Sequence, residues 1–92
     1  MINTLLIGGK GTIGAGLRSY LPRLDPDYRI VSADLPGAPD KAIEEDAQRE
    51  FLELDASHDD ELLRKALEGR DLVVYLARID PLNEMNAMTD KV

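Results

Sequence analysis

Cysteine is absent from this 92-residue chain, and histidine occurs once, at His58. Without thiols there is neither a disulfide scaffold nor a thiolate metal site, and a lone imidazole argues against a histidine-based zinc site. No apolar run approaches the ~20 residues that span a bilayer. Met1 to Ile7 is apolar but too short for a signal peptide, and Lys10 and glycines follow at once. A soluble, cytoplasmic protein is the expectation. A basic excess is also lacking, because the net charge is -7. Between residues 40 and 68 eleven acidic groups stand against four basic ones, Lys41, Arg49, Arg64 and Lys65. That stretch reads as a solvated face and would repel DNA or RNA. Residues 1–35, with four basic and three acidic groups, are nearly neutral and leave room for a small anion held by backbone groups.

What is present is a globular composition, 43% hydrophobic and 32% charged, without repeats or low-complexity tracts. The length allows one small domain over residues 1–92, burying somewhat more than about 60% of its unfolded surface. Ile2 to Ile7 is a compact apolar run closed by Gly8-Gly9, which suits a buried parallel strand. Ile13, Leu17, Leu21 and Leu24 recur at helical spacing with Arg18 and Ser19 opposite, and Pro22 and Pro26 predict that the helix fades near Leu21. Tyr28 to Ala33 reads as a second strand ending at Asp34. Leu35 to Pro39 is loop chemistry, Lys41 to Arg49 reads as a helix from its composition, with Ala42, Ile43 and Ala47 as its apolar face, and Phe51 to Leu54 is a short third strand. Ser57 and Asp60 have capping-box spacing ahead of a helix with Leu62, Leu63, Ala66 and Leu67 as its stripe. Asp59, Asp60 and Glu61 open that helix, Arg64-Lys65 close it, and Gly69 caps it. Leu72 to Ala77 is a continuous apolar run and reads as a fourth buried strand, and residues 84–92 read as the opening of a further helix. Strands alternating with helices imply an α/β, Rossmann-like parallel sheet with helices on both faces. With about four strands that sheet is incomplete, and the outer flank of Leu72–Ala77 predicts self-association through an open edge.

The chemistry concentrates in Gly8-Gly9-Lys10-Gly11-Thr12-Ile13-Gly14, between the first strand and the first helix. It reads as Gly-x-Gly-x-x-Gly on Gly9, Gly11 and Gly14, or as Gly-x-x-Gly-x-x-Gly on Gly8, Gly11 and Gly14. In both frames an early glycine makes the tight turn and a middle one admits a pyrophosphate to the backbone. The last lets helix and strand pack closely. The helix start, Thr12-Ile13-Gly14, offers free N–H groups to that phosphate. Asp34 lies 20 positions after Gly14, at the end of the second strand, where a carboxylate accepts hydrogen bonds from an adenosine ribose. The plainer alternatives are an ordinary strand–helix turn and a solvated strand-end aspartate. Asp34 would repel a 2′-phosphate, and Leu35-Pro36 offers no arginine to neutralise one, so NAD(H) is expected over NADP(H). A P-loop is excluded, because Lys10 precedes Gly11 and not Ser or Thr.

Leu6 to Gly14 resembles the nucleotide-binding turn of extended short-chain dehydrogenases/reductases, the NAD-dependent epimerase/dehydratase group. Ile7 stands where that family usually has Thr, and Thr12 where it has an aromatic. The resemblance extends to Leu54-Asp55-Ala56, similar to the family's Asp after the third strand, which implies that Asp55 and Ala56 flank the adenine. Val74 to Arg78 is similar to the segment ending the family's fourth strand, which implies that Leu76 and Ala77 line the cofactor. Asn86 falls near an Asn that the family often shows.

The family's acid/base pair, Tyr-x-x-x-Lys, has no counterpart. Four residues after Tyr20, Tyr28 and Tyr75 stand Leu24, Ser32 and Ile79. His58 has no Ser or Cys partner in view and reads as surface, and Glu44-Glu45-Asp46 as a solvated helix face. No catalytic residue and no metal ligand is therefore assigned. The resemblance implies the cofactor-binding portion of an NAD-dependent oxidoreductase, with a small-molecule substrate only in a longer parent chain. A stand-alone, non-catalytic dinucleotide-binding or regulatory module is the alternative, and a small α/β domain that binds nothing through this turn is the third reading.

Overall fold

The structure, a computed structural model, describes residues 1–77. Arg78, Asn86 and the helix expected over 84–92 lie outside the described residues. The elements in chain order are β1 (Ile2–Ile7), α1 (Thr12–Leu24), β2 (Tyr28–Asp34), β3 (Glu50–Glu53), α2 (Asp60–Leu67) and β4 (Leu72–Tyr75). The strands form one sheet in the order β3-β2-β1-β4, and every pairing is parallel, with Ile7 opposite Ala33 on one side and Tyr75 on the other. The chain moves outward from β1 to β3 and returns across β1 to place β4. That reversal opens a crevice at the carboxyl ends of β1 and β4. This is the Rossmann-like α/β arrangement expected of the sequence.

Side chains alternate between the sheet's two faces. Leu5, Ile7, Val31 and Ala33 form one core cluster with Leu54 and with Ala66 of α2, and Leu63 packs against it. Thr4, Leu6, Ile30 and Ser32 are buried on the other face, where Leu6 and Ser32 lie against Gly9 at the approach to α1. Fully burying a leucine such as Leu5 or Leu6 contributes about 1.5–3 kcal/mol.

Besides β4, read as a buried strand but with no buried residue because it lies at the end of the described sheet, four expectations need correction. First, α1 buries Gly14, Ala15, Arg18 and Ser19, while Ile13 and Leu24 are 58% and 61% exposed. Gly14 brings the helix so close to the Gly9 backbone that the small-residue face, and not the leucine stripe, turns inward. Second, α1 runs through Pro22 to Leu24. Proline has no N–H for the carbonyl four residues back, and that carbonyl, Arg18 C=O, accepts instead from Gln48 N–H at 3.3 Å. Third, residues 41–49 form turns and irregular backbone, with no helix. Their sparse apolar positions cannot make a helix face, and polar anchors to α1 hold them instead. Glu44 accepts from Ser19 Oγ (3.1 Å) and Asp46 from Arg23 (3.1 Å). The Gln48 side chain stands in for a strand partner, accepting from Ile30 N–H at 2.7 Å and donating to Tyr28 C=O at 3.0 Å. Fourth, Ser57 does not cap α2: Asp59 holds the N-cap position without a side-chain cap bond, and Ser57 Oγ donates to Asp55 at 2.6 Å. Only Ala66 of the α2 stripe is buried. Gly69, at φ +70°, follows the C-cap residue Glu68 as a left-handed terminator.

Candidate dinucleotide cleft

Gly8 leaves β1 with its N–H on Ala33 C=O (2.7 Å), while Leu76 N–H binds Ile7 C=O (2.7 Å). The turn is thereby fixed between the ends of β2 and β4. Gly8 has φ +86°, and a Cβ there would lie 2.8 Å from the Ala77 nitrogen. No other residue satisfies both conditions. A Cβ on Gly14 would lie 2.6 Å from the Gly9 carbonyl oxygen, and one on Gly9 would collide with Ser32. Gly11 differs from these: a Cβ would meet only the Gly8 oxygen, at 3.5 Å. Both glycine frames therefore have a physical role. Gly8, Gly9 and Gly14 make the bend and the close packing, and Gly11 keeps the mouth of the turn open.

Gly11 is also the N-cap of α1, and it offers no side-chain cap. The amides of Thr12, Ile13 and Gly14 precede the first intrahelical bond, Ala15 N–H to Gly11 C=O at 2.8 Å. They carry the donors and the partial positive charge, about half a unit, of the helix start. No acidic side chain occupies that first turn. The Asp34 carboxylate comes up beside it, with Oδ2 accepting from Lys10 N–H at 2.9 Å and Oδ1 from Leu35 N–H at 2.8 Å.

A cleft of about 650 Å³ opens here, within the roughly 300–1,000 Å³ of small-molecule sites. Gly8, Gly11, Thr12, Ile13, Gly14, Asp34, Asp55, Ala56, Leu76 and Ala77, all singled out in the sequence, line it. Contacts within the protein already engage the Asp55 carboxylate. It accepts from Ser57 Oγ and Ser57 N–H (3.0 Å) and lies 3.1 Å from His58 Nδ1. The serine hydroxyl, then the serine amide, hold that carboxyl below the ordinary aspartate range. Asp55 thus meets the cleft with its carboxylate held by Ser57, as that of Asp34 is held by the Lys10 and Leu35 amides.

Sequence reasoning missed Lys41 and Ser57 on the rim, and Lys41 is the only cation lining the cleft among the described residues. Lys41 arrives because its N–H donates to Lys10 C=O at 3.0 Å, a contact hidden by reading residues 41–49 as a helix. Arg18 was also missed. It is 0% exposed, with Nε on Gly9 C=O at 2.9 Å, Nη1 on Gln48 C=O at 3.1 Å and an ion pair to Asp40. Its hydrogen bond holds the Asp40 carboxyl below the usual value. Among the described residues no group of three or more His, Asp or Glu side chains could hold a metal ion, and no helix is long and apolar enough to cross a membrane.

No protein-family model matches the chain. The curated proteins contain no match to it either. Among solved structures it is similar to the crystal structure of L-threonine dehydrogenase from Phytophthora infestans, with a TM-score of 0.62 and 28% sequence identity. The match covers 95% of this chain and 27% of that one, so the present chain spans about a quarter of the dehydrogenase's length. What the two share is the Rossmann-like α/β fold.

Proposed function

We propose that residues 1–92 are the NAD(H)-binding portion of an oxidoreductase of the extended short-chain dehydrogenase/reductase type. The observation that carries this reading is that the uncapped start of α1 and Asp34 line one open cleft, with the Asp34 carboxylate bonded directly to the Lys10 amide of the glycine turn. In it the amides of Thr12, Ile13 and Gly14 hold the pyrophosphate, Asp34 the adenosine ribose and the backbone at Ala56 the adenine. Leu76 and Ala77 face the nicotinamide half. The bound cofactor supplies hydride transfer; this chain's residues bind and orient it. With no Tyr-x-x-x-Lys in the sequence, the chemical step belongs to a longer parent acting on a small alcohol or carbonyl substrate. The dehydrogenase neighbour supports the redox class.

A second reading, NADP(H), draws on Lys41, which lines the same cleft as Asp34 and brings to it the positive charge that a 2′-phosphate requires. Calorimetric titration with NAD, NADP and ADP separates them. The NAD reading expects saturable one-to-one binding of NAD, weaker binding of NADP, and partial affinity for ADP. Equal or tighter binding of NADP overturns the NAD preference. No heat or saturation with any of the three overturns the dinucleotide reading and leaves the fold alone.

A further inference from the structure

We propose that Arg18 is a positioning residue for the cleft, acting through one peptide plane on Asp34. The Gly9–Lys10 peptide is gripped from both sides: its carbonyl accepts from Arg18 Nε at 2.9 Å, and its N–H donates to Asp34 Oδ2 at 2.9 Å. No cis peptide occurs among the described residues. A trans peptide directs carbonyl and N–H oppositely and resists twisting. Fixing the carbonyl therefore fixes the amide, and the amide fixes one oxygen of the carboxylate.

The guanidinium is itself immobilised by Asp40 and by Gln48 C=O, with the Phe51 ring centroid 5.0 Å from Cζ. None of Arg18 lines the cleft, so it touches no ligand. A buried ion pair is a poor source of net stability. The planar fork delivers orientation, because it reaches Gly9, Asp40 and Gln48 together. A lysine ammonium on a flexible stem has no such fork.

The role in cofactor binding rests on the reading of Asp34 as the ribose ligand; the peptide clamp does not. Residue-resolved hydrogen exchange on the full chain compares wild type, Arg18→Gln and Asp34→Ala. The Lys10 amide is protected in wild type and exchanges about tenfold faster in both variants, relative to the core amides of Leu5 and Val31. A Lys10 amide that stays protected in Arg18→Gln, or loses protection only in step with Leu5 and Val31, overturns the proposal. So does an unprotected Lys10 amide in wild type, which requires no variant. If Arg18→Gln fails to fold, Arg18→Lys keeps the buried charge, loses the Nε donor and carries the same comparison.

The second arm is the ratio of NAD to NADP affinity, which a simple loss of folded protein leaves unchanged. Arg18→Gln moves it about threefold toward NADP, in the direction of Asp34→Ala. An unchanged ratio overturns the positioning role. A wild type that binds neither dinucleotide refutes the ribose reading, and the exchange comparison still decides the clamp.

Discussion

The two halves of the sheet are written in similar residues and buried very differently. β1 and β2 each have four consecutive buried residues. β4, with the equally apolar Leu-Val-Val-Tyr, has none, and Val73 is 41% exposed. Among the described residues β3 and β4 are the edge strands, and α2 buries only Ala66. Apolar runs specify strands, but strand order decides which are central and covered. The candidate site follows the same division: the buried half supplies the glycine turn and Asp34, and the exposed half supplies a wall.

That contrast breaks first at the core. Leu5→Ala is expected to cost about 2–5 kcal/mol by urea unfolding, against less than about 1 kcal/mol for Val73→Ala at the opposed register position. Equal losses would show that β4 is covered as fully as β1. Next comes Gly14→Ala, whose methyl group meets the Gly9 carbonyl. It should destabilise by about 1–3 kcal/mol and weaken NAD binding beyond that loss, whereas Gly11→Ala, with room for a Cβ, should melt close to wild type.

Val73→Lys should leave the melting temperature nearly unchanged and reduce self-association in sedimentation velocity, because a charge on an open edge opposes strand pairing. A wild type that stays monomeric at high concentration contradicts the open-edge expectation. The smallest effect is electrostatic. Asp40 and Asp55 have carboxyls lowered from the ordinary 3.8. Their contribution is therefore complete above that value and is lost as pH falls through the lowered pKa. Thermal scans should be flat near neutrality and fall below pH ~4, and Asp40→Asn should flatten that fall.

Much of the buried half was legible in the sequence. β1 and Asp34 at the end of β2 sit where the apolar runs and glycine spacing placed them, and the ten residues chosen for the site line one cleft. Less legible was everything depending on contact between distant segments. The side of α1 that faces inward is set by Gly14 against the Gly9 backbone, a steric fact that a periodicity of leucines cannot express. Residues 41–49 have helix-forming side chains, yet Asp40, Glu44 and Asp46 pair with Arg18, Ser19 and Arg23 across the chain and hold the segment irregular. Lys41 reaches the cleft only through that arrangement.

An amide chemical-shift titration of the full chain with NAD tests most directly whether the α1 start and Asp34 form one binding site. The expected result is saturable, one-to-one shifts centred on Gly8–Gly14, Asp34 and Ala56, with the outer face of α2 unmoved. Shifts absent at millimolar NAD, or gathered on α2 and the outer edge of β4 while the glycine turn stays silent, would contradict it.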